Sequence, residues 1–399
     1  MTAVADVVAT RVRRQGPVPF DEVVDLALYH PEAGFYAGGG GAGRRGDFLT
    51  SAEVGPLFGA VLARALDTWW RELGAPDPFV VVEAGAGAGT LARSVLAAEP
   101  ACAAALRYVL VERSAALRAM SAEALRLTPP AFALGAIAAA GKGPLVVSLP
   151  ALPSIDGPVV VLANELLDNL AFGLLERRND GWAEVRVGLE ADDRTLTEVL
   201  IPAGDDLRRR ADGLAPGARV GGRIPLQDEA ASWLRDALDL ASLLARRSPP
   251  GGATGTKPHG SAKRAPPGAG QTGRVVALDY CTTTAEAAAR PWPEWLRTYA
   301  GHARGAAPLD RLGAQDVTAE VCVDQLARVR PPTAARTQAA FLVDHGIEEL
   351  VAEGRRTWAE RAHLGDLAAV RARSRIREAD ALCDPTGLGA FRVLEWNAG

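Results

Sequence analysis

Two hydrophobic periods divide the chain. Residues 18–30 place apolar positions at helical spacing, and residues 50–73 do so over a longer run. That run opens with Thr50 and Glu53 in the T-x-x-E spacing of a capping box. From residue 79 the pattern changes. Apolar, β-branched runs at 79–85, 107–112, about 145–149 and 157–165 alternate with helical spacings at about 89–98 and 114–127. Continuous apolar strands that alternate with helices predict a parallel sheet covered on both faces. Between 172 and 200, apolar and polar residues alternate singly across Asn179-Asp180-Gly181, which predicts a hairpin. A helix is expected over 233–247. Residues 248–273 are rich in Pro and Gly and carry no apolar period, so a disordered surface insertion is expected there. The buried-strand pattern returns at 274–280. Helices are expected around 337–352 and 356–376, and a last strand at about 390–395.

This order suggests five regions. An N-terminal helical region (1–75) would cover the ligand site. The core would come in two parts, 76–171 and 274–399, separated by an accessory hairpin and helix region (172–250) and the insertion at 248–273.

Composition narrows the class. Apolar residues make up 48% and charged residues 23% of 399, which fits a globular chain long enough to bury a large core. The net charge of -4 argues against a nucleic-acid backbone as partner. Cys102, Cys281, Cys322 and Cys383 are far apart, and the five histidines lack H-x-x-x-H spacing, so neither a disulfide framework nor a metal is expected. No apolar run reaches bilayer length. The basic cluster Arg11, Arg13 and Arg14 follows the first apolar stretch, opposite to a signal peptide. A cytoplasmic protein with no membrane partner is expected, and a homodimer is allowed.

The sharpest motif is Glu83-Ala84-Gly85-Ala86-Gly87-Ala88-Gly89-Thr90-Leu91, which follows a buried strand and opens a helix. Small residues there let the chain turn tightly and let a ligand approach the backbone. The third glycine comes one residue too early for a dinucleotide fingerprint, and no G-K-[ST] follows, which excludes a P-loop. The E-x-G-x-G-x-G form resembles the first motif of class I S-adenosylmethionine (SAM) methyltransferases. Glu112 closes the second strand, where a carboxylate can accept two hydrogen bonds from ribose hydroxyls. The fourth strand ends in Asn164-Glu165-Leu166-Leu167-Asp168, at the edge where open α/β sheets bind ligands. Glu165 and Asp168 are the candidates for holding a cationic methyl acceptor. The competing reading is structural: Asn164 caps a helix whose first turn holds both acids.

Further segments place the chain. LALYHPEAGFYA (26–37), GDFLTSAEVGPLFGAVLA (46–63), VVEAGAGAGTLA (81–92), ANELLD (163–168), LDY (278–280), QDVTAEV (315–321), TQAAFLVDHGI (337–347) and GAFRVLEW (389–396) together resemble the MidA-type methyltransferases. The mitochondrial members of that family are complex I assembly factors that methylate protein arginine. The resemblance covers about residues 18–395. It implies a class I SAM-dependent, Rossmann-like α/β core with accessory N-terminal helices and an inserted α+β region. It also implies SAM as cofactor, held by Glu83, Gly85, Ala86, Gly87, Gly89, Thr90, Leu91, Glu112 and Asn164, with Asp47, Thr50 and Ser51 folding over the cofactor. There are departures. Cys281 stands where Gly is usual and Glu320 where His is frequent, and Asn169 and Ala171 replace the usual Ala and Pro. These departures leave the acceptor open: protein arginine, a small molecule of secondary metabolism, or no acceptor at all in a SAM-binding assembly factor.

Three other features have competing readings. Trp69-Trp70 fits core packing better than a ligand cage. Asp279 and Tyr280 either line the acceptor pocket or start a turn. His302 is a candidate base, although a lone histidine is more often a surface or satisfied residue.

Overall fold

The expected apolar runs form six strands of one seven-stranded sheet, and the edge strand over 334–337, which is not apolar, was not expected. The seven are β1 (Phe79–Ala84), β2 (Leu106–Val111), β3 (Leu145–Leu149), β4 (Val159–Asn164), β5 (Arg274–Asp279), β6 (Ala334–Thr337) and β7 (Arg392–Asn397), in the order β6-β7-β5-β4-β1-β2-β3. The first five pair in parallel, and β7 runs antiparallel to both β5 and β6. The structure is a computed structural model. It describes residues 3–38, 50–135, 141–155, 157–242, 273–301 and 303–398. Asp47, His302 and nearly all of the 248–273 insertion lie outside the described residues.

The helices that matter for the site are α1 (Val4–Gln15), α2 (Phe20–Tyr29), α3 (Ser51–Val54), α4 (Pro56–Glu72), α5 (Thr90–Ala97), α6 (Ala115–Ala124) and α7 (Asp228–Ser242). Every residue of β1 and β2 is buried, because both faces of the sheet are covered. On one face Val81 and Tyr108 pack with Leu57, Phe58 and Trp69 of α4 and Val95 of α5. On the other, Val80, Val82 and Val161 pack with Leu234 and Leu238 of α7. The alternation of Val80, Val81 and Val82 between two cores is the period of two expected of a strand.

The hairpin forms as expected. Strand Gly173–Arg178 turns into Gly181–Leu189, with Arg178 opposite Gly181. Strands Leu196–Pro202 and Arg223–Leu226 extend this antiparallel sheet, and Val18–Pro19 pairs with Val187 and Arg186 at its side. Residues of α1 and α2 share a core with this second sheet through Val8, Phe20, Val24, Phe172, Val185 and Val187.

Several boundaries differ from the periodic reading. The single helix expected over 50–73 is broken. Gly55 is extended, Pro56 starts α4, and a Cβ at Gly55 would lie 2.3 Å from the Glu378 carboxyl carbon. Thr50 makes no side-chain cap, so the T-x-x-E box is not built. Helix α7 starts at Asp228, five residues before the apolar spacing becomes visible. In the tail, the helices are Gln338–Asp344, Ile347–Arg361 and Leu367–Leu382, because left-handed Gly346 interrupts the first expected one. Trp69 is core, against Phe341 and His345, and the Trp70 indole N–H donates to the Pro76 carbonyl at 3.0 Å.

Candidate functional site

The carboxyl ends of β1, β2 and β4 open into a cavity of about 1190 Å³. Its floor is the glycine turn after β1. Gly85, Ala86, Gly87, Thr90 and Leu91 line it. Gly87 has φ of 53° and open space where a Cβ would stand, so a ligand can reach the backbone there. Gly89 differs. It is left-handed as well, but a Cβ would meet Leu125 at 2.9 Å, and it does not line the cavity. Its place in the motif serves packing of α5, not the ligand.

Two acids frame the turn. Glu83, within β1, lines the cavity and is buried. The Tyr108 hydroxyl donates to its Oε2 at 2.8 Å. Burial pushes the Glu83 pKa up to about 8, against the pull of that hydrogen bond. Glu112 stands at the end of β2. Its Oε2 accepts the Gly87 N–H at 2.9 Å and its Oε1 accepts the Ser114 N–H at 2.7 Å. Burial raises its pKa, while these backbone donors lower it. Glu112 therefore holds the glycine turn in place as well as facing the cavity.

The opposite wall follows β4. Glu165 has φ of 51°, an uncommon conformation for a residue with a side chain, and its N–H donates to the Leu278 carbonyl at 2.8 Å. Its Oε1 accepts the Ser51 N–H at 2.7 Å, so a remote carboxylate satisfies the first N–H of α3, which has no partner within the helix. Asn164 reaches the same oxygen at 3.4 Å, and its own Oδ1 is buried with no donor among the described residues. Burial pushes the Glu165 pKa up to about 8, the Ser51 N–H pulls it down, and Asp168 raises it further. No helix follows Asn164. Leu167–Asn169 is a single 3-10 turn without a side-chain cap, so the capping reading of this segment does not hold.

Asp168 is not where an acceptor-binding residue was expected. It does not line the cavity. Its Oδ2 accepts the hydroxyls of Tyr280 at 2.7 Å and Thr318 at 2.6 Å, deep behind the turn. Asp279 is buried beside it, accepting the N–H groups of Leu167 at 3.0 Å and Tyr280 at 3.0 Å, which is the turn-forming reading rather than the pocket-lining one. Burial raises both pKa values, and each of the acids Asp168 and Glu165 raises Asp279 further. Ser51 also stays out of the cavity. Its hydroxyl donates to Gln338 at 2.9 Å, while its neighbours Thr50, Ala52 and Glu53 line the mouth.

Sequence reasoning missed a third group. Tyr29 and Tyr36 line the cavity and stack with ring centroids 5.4 Å apart. Asn169 joins them, with Asp316 behind it. From α7 come Glu229, Trp233, Asp236 and Leu240, the i, i+4, i+7, i+11 face of one helix. That face was legible once the helix start was placed at Asp228; Asp316 gave no signal beyond its motif. Arg113 is the one Arg or Lys among the described lining residues, against seven Asp and Glu side chains, two of which, Glu83 and Glu165, have pKa values raised by burial to about 8; the balance favours a cationic ligand. The described residues hold no metal-binding cluster of His, Cys, Asp and Glu, and no described helix is long and apolar enough to cross a membrane.

Comparison with known proteins agrees with this geometry. A family model described as "Putative S-adenosyl-L-methionine-dependent methyltransferase" matches residues 61–339. The chain is 43% identical over 86 residues to "Protein arginine methyltransferase NDUFAF7 homolog, mitochondrial" of Drosophila melanogaster, covering 22% of this chain and 20% of that one. It is 28% identical over 208 residues to "Protein arginine methyltransferase NDUFAF7, mitochondrial" of Homo sapiens, covering 48% and 47%. The chain thus spans half or less of the length of these relatives. A crystal structure of a COG1565 superfamily member from Burkholderia thailandensis bound to S-adenosyl-homocysteine superposes with a TM-score of 0.76 at 24% identity, over 99% of this chain and 91% of that one. That likeness establishes the fold, a class I α/β core with its accessory sheet. With well over half of its length matched by the family model, the chain belongs to this family of S-adenosyl-L-methionine-dependent methyltransferases.

Proposed function

We propose that the chain binds SAM at the glycine turn and methylates a guanidinium nitrogen of protein arginine. One observation carries the reading. One acid-lined cavity has an open glycine backbone and Glu112 on one wall, and on the other the half-buried Glu165, whose backbone is strained. The residues present fit the cofactor. Gly87 leaves room for close approach, Glu112 keeps lone pairs for ribose hydroxyls, and the Asn164 Oδ1 lacks a donor among the described residues. When bound, the cofactor supplies a methyl group activated by its sulfonium. The chain supplies alignment: the glycine turn and Glu112 hold one reactant, and Glu165 orients the other. Glu165 also accepts the proton that the acceptor nitrogen loses, for which a pKa near neutrality is suited. The names of the curated relatives support arginine as acceptor.

The test has two steps. S-adenosylhomocysteine should bind in calorimetry, and tritium should pass from labelled SAM to arginine of protein substrates. Turnover should rise from about pH 7 to about pH 9 as Glu165 ionises, and Glu165→Gln should flatten that rise. Label found in a small-molecule extract instead would replace arginine by a small acceptor. Tight binding with no transfer to either pool would leave a SAM-binding assembly factor.

A further inference from the structure

Asn169 occupies an unusual position. It is 6% exposed yet lines the cavity, in the same post-β4 segment as Glu165. Its Nδ2 donates to both oxygens of Asp316, at 3.0 and 3.2 Å. Tyr36 donates to the same Asp316 at 3.4 Å, and Tyr29 donates to the Asn169 main-chain carbonyl at 3.2 Å. The amide nitrogen is therefore held by Asp316, and the residue's main chain by Tyr29. An ionised carboxylate only accepts hydrogen bonds, so the amide nitrogen must face Asp316 and the amide oxygen must face away from it. Among the described residues, no donor meets that oxygen, and it is not one of the buried atoms lacking a partner. The cavity is where its partner would stand.

We propose that Asn169 is a specificity-determining residue of the acceptor site, and that its fixed amide oxygen accepts an N–H of the guanidinium. This rests on the reading of the cavity as a methyltransferase site. Glu165 supplies charge, which any cation satisfies. Asn169 supplies a directed acceptor, which favours a planar group with several N–H donors. A urea keeps one terminal NH2 where a guanidinium has two, so it cannot donate to Glu165 and Asn169 through both ends at once, and the pair discriminates arginine from citrulline through more than net charge.

The experiment uses the full chain at about pH 8, where Asp316, pushed up to about 7 by burial, is mostly ionised. S-adenosylhomocysteine is titrated first and alone. N-acetyl-L-arginine amide and N-acetyl-L-citrulline amide are then titrated into the loaded and the unloaded protein. The wild type should bind the arginine probe more tightly than the citrulline probe. Asn169→Ala should weaken the arginine probe roughly tenfold, narrow the discrimination, and leave the S-adenosylhomocysteine affinity within about twofold. Asp316→Asn, which removes the fixed orientation but keeps both side chains polar, should give an intermediate loss with the same unchanged cofactor affinity. It also serves if Asn169→Ala unfolds. Equal arginine-probe affinity in wild type and either folded variant would overturn the proposal, as would a wild type that binds S-adenosylhomocysteine but neither probe. Failure to bind S-adenosylhomocysteine would instead defeat the methyltransferase reading. In that case the unloaded titrations still decide whether Asn169 selects the guanidinium.

Discussion

Replacing Glu112 by Gln tests whether one carboxylate performs two tasks. In the native chain it accepts two backbone N–H groups, from Gly87 at 2.9 Å and Ser114 at 2.7 Å. A glutamine side chain can accept only one of them, and its NH2 must face the other donor. A hydrogen bond to a charged group is worth about 1.5–3 kcal/mol, so the variant should lose roughly that much stability. At about 2–4 °C per kcal/mol for a larger domain, the melting temperature should fall by several degrees. The ligand term is separate. If the ribose hydroxyls use the remaining lone pairs, a further loss of about 1.5–3 kcal/mol should weaken S-adenosylhomocysteine by roughly 10- to 150-fold. Differential scanning calorimetry reads the first effect and isothermal titration the second. Glu112→Ala should give the larger fall in melting temperature, because both N–H groups then lose their acceptor. A folded Gln variant with native melting temperature and native affinity would refute both roles. A lower melting temperature with unchanged affinity would leave only the support of the glycine turn.

Two further outcomes are expected. The Glu83 carboxyl has a folded pKa raised to about 8 by burial, so its favourable share of stability is complete below its unfolded pKa of about 4.5 and is lost as pH climbs toward 8. Glu83→Gln keeps an acceptor for Tyr108 and removes this dependence; denaturant midpoints at about pH 6 and pH 9 should show the variant gaining on the wild type, on the order of 1 kcal/mol per pH unit. Asp168→Asn should leave cofactor affinity and turnover within a few fold, because Asp168 faces Tyr280 and Thr318 rather than the cavity; a loss of 100-fold in kcat with a native melting temperature would return it to the acceptor site.

The parts of the fold that were legible in the sequence are those fixed by local pattern. The strand at 79–84 reads as buried because all of its residues are apolar or small except Glu83, and the hairpin reads from Asn179-Asp180-Gly181. What was not legible depends on partners far away in the chain. The T-x-x-E spacing at Thr50 suggested a local cap, but Thr50 makes none, and the helix's first N–H, on Ser51, goes instead to Glu165, 114 residues on. Asp168 and Glu165 stand three residues apart and read as equivalent acids. A 3-10 turn sends one into the core and leaves the other on the cavity wall. The same turn delivers Asn169 to Asp316, a pairing of residues 147 apart that no spacing announces.

The position of β7 has a consequence for the order in which the sheet can close. Strands β1 to β4 come from one stretch, 79–164, and their partners lie close along the chain. Strand β5 then waits. Its second neighbour is β7, and Arg274 meets Asn397 across more than a hundred intervening residues. Until 392–397 has emerged, the Val275-Val276-Ala277-Leu278 run has one open, apolar edge, of the kind that pairs with other chains. Closing so long a loop is slow compared with local pairing. A growing chain of this protein therefore carries the strands of its glycine turn beside a sticky, half-paired margin, and a ribosome stalled before the final strand would release a species prone to aggregate.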